Sequence, residues 1–88
     1  MPDHPHAAIA RRLKRANGHL ETIIEMIEHG RPCAQIAQQL QAVEGAIENA
    51  KKTLIHDHIS DSLDKSPKAS GVKGQALLRE FRLIAKYL

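Results

Sequence analysis

The most constraining feature of the sequence is one long helical pattern that covers residues 33–63. Apolar side chains recur along it at spacings of three and four, the repeat of one face of an α-helix. No proline interrupts the segment, and its one glycine is Gly45. A helix of this length extends roughly 45 Å, so a single neighbouring helix cannot cover both of its sides. The pattern therefore predicts that a second copy of the chain completes the packing. The apolar positions are Ile36, Leu40, Val43, Ile47, Ala50 and Leu54.

The rest of the chain predicts an all-α fold with two further helices. Residues 1–6 contain two prolines and are predicted to form a flexible arm; helix 1 follows over residues 7–29 and ends at Gly30 and Pro32. Gly18 is expected to allow close packing, since glycine otherwise costs a helix about 1 kcal/mol. Residues 64–74 hold Ser, Pro, Gly and Lys and are predicted to be a linker before helix 3 over residues 75–88. The apolar positions of helices 1 and 3 are Ile9, Leu13, Ala16, Leu20, Ile23, Ile27, Leu77, Leu78, Phe81, Ile84 and Leu88.

Length and composition favour a small oligomeric protein. The chain has 88 residues, of which 2% are aromatic. We expect one helical domain over residues 1–88 that is marginal as a monomer and that packs through small aliphatic side chains in an oligomer. The single cysteine excludes an intrachain disulfide. Neither a signal peptide nor a membrane span is expected, so the predicted location is the cytoplasm. The sequence shows no set of residues typical of catalysis, and an enzyme is not expected.

Basic residues are concentrated at the two ends of the chain. The first half of helix 1 contains Arg11, Arg12, Lys14 and Arg15, and residues 65–88 contain six Lys and Arg against one acid, Glu80. Basic ends around a near-neutral middle indicate an anionic partner such as DNA. Solvated helix faces are the alternative interpretation of the same charges.

Cys33 and His58 are separated by 25 residues of the long helical segment. Seven turns of 3.6 residues make about 25, so both side chains lie on one face of the helix. The same spacing separates them by roughly 37 Å along the helix axis, so one chain cannot bring them to one ion. If two copies of the helix pack antiparallel, Cys33 of one copy meets His58 of the other, twice per dimer by symmetry.

A thiolate and an imidazole together suit soft or borderline ions such as Cu(I), Zn(II), Ni(II) or Co(II). Several other side chains are candidates for completing such a site. The simpler interpretation also stands: a lone Cys on an apolar stripe is commonly a small core residue, and a His near a helix end is commonly solvated. His56 precedes His58 by two residues and points elsewhere on the helix. The additional candidates are His19 on helix 1, Asp61 and Ser62 one turn beyond His58, and His4 and His6 on the arm.

The run RRLKRANGHLETIIEMIEHGRPCAQIAQQLQAVEGAIENAKKTLIHDHI resembles the CsoR/RcnR/FrmR family of bacterial repressors. The resemblance covers roughly residues 8–63. Its marks are the basic RRLKRANGH run, the Cys after a short break, QQLQAVEGAI, and the His that follows the Cys by 25 residues. The resemblance implies a three-helix subunit that forms an antiparallel dimer and then a dimer of dimers. It also implies a protein that binds operator DNA and releases it when an effector binds.

The family's effector site has four positions, and the resemblance assigns three of them to His19, Cys33 and His58. The fourth position is Ser62 here, where copper sensors of the family have Cys and one nickel–cobalt branch has His. This departure argues against a Cu(I) site with two thiolates. The formaldehyde-sensing branch of the family uses an N-terminal proline beside the same Cys, and Pro2 with Cys33 matches that arrangement. The persulfide-sensing branch uses two cysteines and is excluded.

These observations predict a transcriptional repressor that is released from operator DNA when a transition metal binds at an inter-subunit Cys/His site. The metal is an effector and has no catalytic role. Arg11, Arg12, Lys14 and Arg15 are the expected DNA contacts, with Lys51 and Lys52 as weaker candidates, since such residues bind phosphates. Two alternatives stay open. One is a formaldehyde-responsive repressor without a metal, and the other is a helical interaction module that binds neither ligand nor DNA.

Overall fold

The computed structural model describes residues 6–65 and 71–88, and it contains three α-helices in this part of the chain. They are α1 (Ala7–Glu28), α2 (Cys33–Lys65) and α3 (Gly71–Ala85). The described residues contain no β-strand, and the predicted all-α fold with a long second helix is confirmed. Most of the predicted arm, including Pro2 and His4, lies outside the described residues.

The helix ends differ from the predicted ones mainly around the linker. Helix α2 ends at Lys65 and not at residue 63, because Asp64 and Lys65 do not conflict with a helix and the first proline of this stretch is at position 67. Helix α3 begins at Gly71 and not at residue 75; glycines weaken helix interiors more than first turns. Only residues 66–70 of the predicted linker therefore separate α2 from α3, and they lie outside the described residues.

The end of α3 was also predicted too far along the chain. The helix stops at Ala85, three residues before the predicted end at Leu88. Tyr87 N donates to the Ile84 carbonyl at 2.9 Å and Leu88 N donates to the Ala85 carbonyl at 3.1 Å. These tighter i→i−3 bonds satisfy carbonyl groups that an α-helix leaves open at its C-terminus.

The chain divides into two compact units, Met1–Ala50 and Lys51–Leu88. The first unit contains α1 and the beginning of α2, and the second contains the end of α2 and α3. Organisation as one domain over residues 1–88 therefore stays a prediction.

The core of the first unit is narrow and made of aliphatic side chains. On α1, the buried residues Ile9, Ala16 and Ile23 are spaced by seven and face one side; on α2, Val43 and Ala50 are buried. Ile23 is only 1% exposed. Two of these five side chains are alanines, so the helices can approach closely, as the aliphatic composition predicted. A Cβ on Gly18 would meet nothing within 4 Å, so the predicted role of Gly18 in close packing is wrong within one chain.

A second row of apolar side chains on α2 remains exposed. Leu40, Ile47 and Leu54 are also spaced by seven residues, and they are between 37 and 48% exposed. We call these three residues the outer stripe of α2. Leu13, Leu20 and Ile27 form a similar exposed row on α1. Large apolar side chains in rows of this kind are typical of surfaces that pack against another helix. None of the helices in the described ranges is both long and apolar enough to cross a membrane.

Candidate functional site

A glycine-dependent turn over residues 29–32 places Cys33 at the start of α2. Gly30 has φ +67°, a left-handed conformation that side chains disfavour. Arg31 N donates to the Met26 carbonyl at 2.9 Å, and Gly30 N donates to the Ile27 carbonyl at 3.1 Å. This pair of bonds is the Schellman motif, which ends a helix through a glycine. The HGRP sequence therefore fixes both the end of α1 and the direction in which the chain continues.

Cys33 is the first residue of α2, and its thiol is free and exposed. The Pro32 carbonyl accepts from Gln35 N at 3.0 Å and from Ile36 N at 3.2 Å, so the first turn of α2 begins directly at the turn. The interpretation of Cys33 as a small core residue is wrong for the single chain, because the side chain is not buried. An exposed thiol is instead accessible to a metal, an aldehyde or a second chain.

His19 lies on α1 and is half-buried. Its Nε2 is 2.5 Å from Gln39 Oε1 on α2. Because an amide oxygen only accepts hydrogen bonds, Nε2 carries the hydrogen, and Nδ1 is the ring atom left with a lone pair in the neutral form. The contact joins the two helices of the first unit and orients the imidazole.

His58 lies in the second unit and contacts a carboxylate of α3. Its Nε2 donates to Glu80 Oε1 at 2.6 Å, and the two side chains are 41% and 48% exposed. Nδ1 is therefore the ring nitrogen of His58 that is available to another partner. Glu80 is not among the site residues predicted from the sequence. The available signal was its isolation, since it is the one acid among the cations of residues 65–88.

A largely apolar groove in the second unit has His58 and Glu80 among its lining residues. Its volume is about 420 Å³. Ser62, one of the predicted site residues, also lines the groove, so the structure brings His58, Ser62 and Glu80 together. The apolar lining residues are Ile59, Leu63, Leu77, Leu78, Phe81 and Ile84.

The predicted ligands that the structure describes do not form a metal site within one chain. His6 is half-buried just before α1, where its carbonyl accepts from Ala10 N at 2.9 Å. Asp61 is exposed on α2. His19 and Cys33 belong to the first unit, and His58 belongs to the second. In the ranges that the structure describes, no three His, Cys, Asp or Glu side chains are grouped so that one chain could hold a metal ion.

The predicted DNA-contacting side chains are all accessible. The four basic residues Arg11, Arg12, Lys14 and Arg15 are exposed within the first half of α1. In the second unit, Lys51 and Lys52 are exposed on α2. Three further cations are exposed at the C-terminal end of the second unit: Arg79 and Arg82 on α3, and Lys86 just after it.

Comparison with known proteins identifies relatives of this sequence. The family described as "Metal-sensitive transcriptional repressor" matches residues 5–86. The copper-sensing transcriptional repressor CsoR of Mycobacterium ulcerans is 35% identical over 80 residues, which are 91% of this chain and 66% of that protein. CsoR of Bacillus subtilis is 40% identical over 50 residues, which are 57% of this chain and 50% of that protein. The copper-sensing repressor RicR of Mycobacterium tuberculosis is 28% identical over 71 residues, which are 81% of this chain and 74% of that protein.

The CsoR relatives from Mycobacterium species are longer proteins, and the match spans between 44 and 66% of their length. No solved structure matches the chain. The family match covers nearly the whole sequence and confirms the resemblance to the CsoR/RcnR/FrmR family. The chain belongs to the family of metal-sensitive transcriptional repressors.

Proposed function

We propose that this protein represses transcription in the cytoplasm by binding operator DNA, and that it releases the DNA when a transition metal binds between two copies of the chain. One observation carries the proposal. The outer stripe of α2 is an exposed apolar surface, and the two strongest candidate ligands, Cys33 and His58, lie immediately beyond its two ends. The metal site and the surface that assembles the oligomer are therefore parts of one helix face.

Helical spacing supports an antiparallel pairing through this face. Cys33 precedes Leu40 by seven residues and His58 follows Leu54 by four, so both share the side of α2 that carries the outer stripe. Burying the stripe against the same stripe of a second copy removes apolar area from water, which contributes about 1 kcal/mol for each half-buried side chain. With the two helices antiparallel, Cys33 of each copy approaches His58 of the other. The two sites of the dimer are equivalent by symmetry.

The donor atoms at this position fit a soft or borderline metal ion. Cys33 supplies a thiolate, and His58 supplies Nδ1 because its Nε2 is bonded to Glu80. This set suits Cu(I), Zn(II), Ni(II) and Co(II). The copper-sensing relatives favour copper, while Ser62 offers a hydroxyl where a second thiolate would bind Cu(I) more tightly. His19, Asp61, His4 and His6 are candidates for a further ligand.

The turn over residues 29–32 connects the metal to the DNA-binding surface. Arg11, Arg12, Lys14 and Arg15 would contact phosphates from α1, and α1 is joined to Cys33 by this turn. A metal that fixes Cys33 against the partner's His58 therefore changes the position that α1 can adopt. Coupling of this kind amounts to about 1–3 kcal/mol, or roughly a 5- to 150-fold loss of DNA affinity.

The test uses a duplex selected from a random-sequence pool by the reduced, metal-free protein. Cu(I), Ni(II), Co(II), Zn(II) and formaldehyde are then titrated separately into the complex while DNA binding is followed by fluorescence anisotropy. We expect one metal to release the wild-type protein and to leave Cys33→Ala bound. Ala34→Ser, an exposed substitution at the next position, is the matched control and should respond like the wild type.

Other outcomes would contradict the proposal in different ways. If Cys33→Ala is folded but does not bind the duplex, Cys33 does not have a role separate from DNA binding. If formaldehyde alone releases the DNA, and blocking Pro2 prevents the release, the protein is an aldehyde sensor. If no duplex is selected from the pool, the chain is an interaction module of another kind.

A further inference from the structure

Each of the two units contains a charged side chain that lies close to a proposed metal ligand and on the same side of the proposed pairing. We propose that these side chains, Arg31 and Glu80, form an ion pair between two copies of the chain, with the turn of one copy seated at the His58 end of the groove of the other. The inference rests on the antiparallel pairing of the proposed function, and it identifies the surface that decides the direction of that pairing.

Arg31 presents a cation next to Cys33. Its side chain is exposed, and its Nε and Nη2 donate to Gln35 Oε1 at 3.3 and 3.2 Å. The Gln35 amide is uncharged, so it positions the guanidinium at the start of α2 without neutralising the charge of Arg31. The guanidinium has five N–H donors, so the bonds to Gln35 leave capacity for a carboxylate.

Glu80 presents an anion next to His58. Its Oε1 accepts from His58 Nε2 at 2.6 Å, and its side chain is 48% exposed. A carboxylate has two oxygens and about four acceptor positions, so the bond to His58 leaves capacity for an arginine.

The proposed metal site brings these two charges into one neighbourhood. Arg31 precedes Cys33 by two residues, a distance of at most about 7 Å along the backbone. When Cys33 of one copy approaches His58 of the other, Arg31 arrives beside the carboxylate that is already bonded to His58. Pro32 lies between Arg31 and Cys33 and offers an apolar ring to the groove. A parallel pairing of α2 would not bring these groups together, so the ion pair favours the antiparallel arrangement.

The symmetry of the pairing allows a test in which charge changes alone select the partner. Chains with Arg31→Glu would present two acids to each other in a homodimer, and chains with Glu80→Arg would present two arginines. In a mixture of the two variants, the heterodimer restores two opposite-charge contacts. We expect reduced, metal-free mixtures of equal amounts to contain about 80% or more heterodimer by native mass spectrometry. Random pairing would give about half.

A matched mixture controls for general attraction between an acidic and a basic chain. Lys86→Glu and Glu21→Arg make the same charge changes at exposed positions just after α3 and on α1, and their mixture should remain statistical. A shift of equal size in this control would overturn the ion pair. Circular dichroism checks that all four variants are helical, and the neutral variants Arg31→Gln and Glu80→Gln should each weaken the homodimer by about threefold without repulsion.

Failure of the ion pair and failure of the proposed function give different results. If wild-type chains associate but the test mixture stays statistical, the Arg31–Glu80 contact is wrong and the metal-responsive dimer is unaffected. If wild-type chains do not associate at all, both inferences are overturned.

Discussion

The two compact units of the chain use the same long helix in different ways. Of the buried apolar side chains that the structure describes, five belong to the first unit and only Ile55 belongs to the second. The second unit instead has the groove of about 420 Å³ and the hydrogen bond from His58 to Glu80 on its surface. The first unit is therefore the better-packed body and displays Cys33 from a defined turn. The second leaves most of the large apolar side chains that the structure describes there exposed.

The largest expected effect that tests this comparison comes from truncating one core residue in each unit. Ile23→Ala should reduce the free energy of unfolding by about 3 kcal/mol, since the side chain is 1% exposed and its removal leaves a cavity. Ile55→Ala should cost less, about 2 kcal/mol, because its side chain is 7% exposed and its removal leaves a less enclosed cavity. Urea denaturation at one fixed protein concentration measures both. An equal or larger loss for Ile55→Ala would show that the second unit is as well packed as the first.

An intermediate effect is expected at the turn before Cys33. Gly30→Ala should destabilise the protein by about 1–2 kcal/mol, because alanine is strained at φ +67°. Gly45→Ala is the matched control within α2, where a Cβ meets nothing within 4 Å, and it should stabilise the protein by up to about 1 kcal/mol. Thermal denaturation followed by circular dichroism compares the two. Destabilisation by Gly45→Ala would instead indicate that a second chain packs closely against that position.

The smallest expected effects distinguish the two histidine contacts. Gln39→Ala removes the half-buried bond to His19 in the first unit and should cost about 1 kcal/mol of stability. Glu80→Gln changes the half-exposed bond to His58 in the second unit and should cost no more than about 0.5 kcal/mol. The same denaturation measurement applies to both variants. If Glu80→Gln is the more harmful of the two, Glu80 supports the fold and not the site.

The sequence predicted the helices and one end of the site more accurately than it predicted the contacts. Gly30 and Pro32 correctly marked the break before Cys33, because a glycine followed closely by a proline is typical of the end of a helix. The start of α3 was wrong because glycines such as Gly71 are typical of loops as well as of first turns. The Glu80 contact could not be read from spacing, since it joins residues 22 positions apart on different helices. Helical periodicity relates positions on one helix only.

If the outer stripe of α2 pairs two copies as proposed, sensing depends on how many copies of the protein a cell contains. A chain that has not met a second copy would hold a thiol without its imidazole, and neither end of α2 alone would select an ion. The concentration of the protein would therefore have a threshold, below which the metal does not change the occupancy of the operator. Above this threshold, each metal ion would be bound by two chains at once.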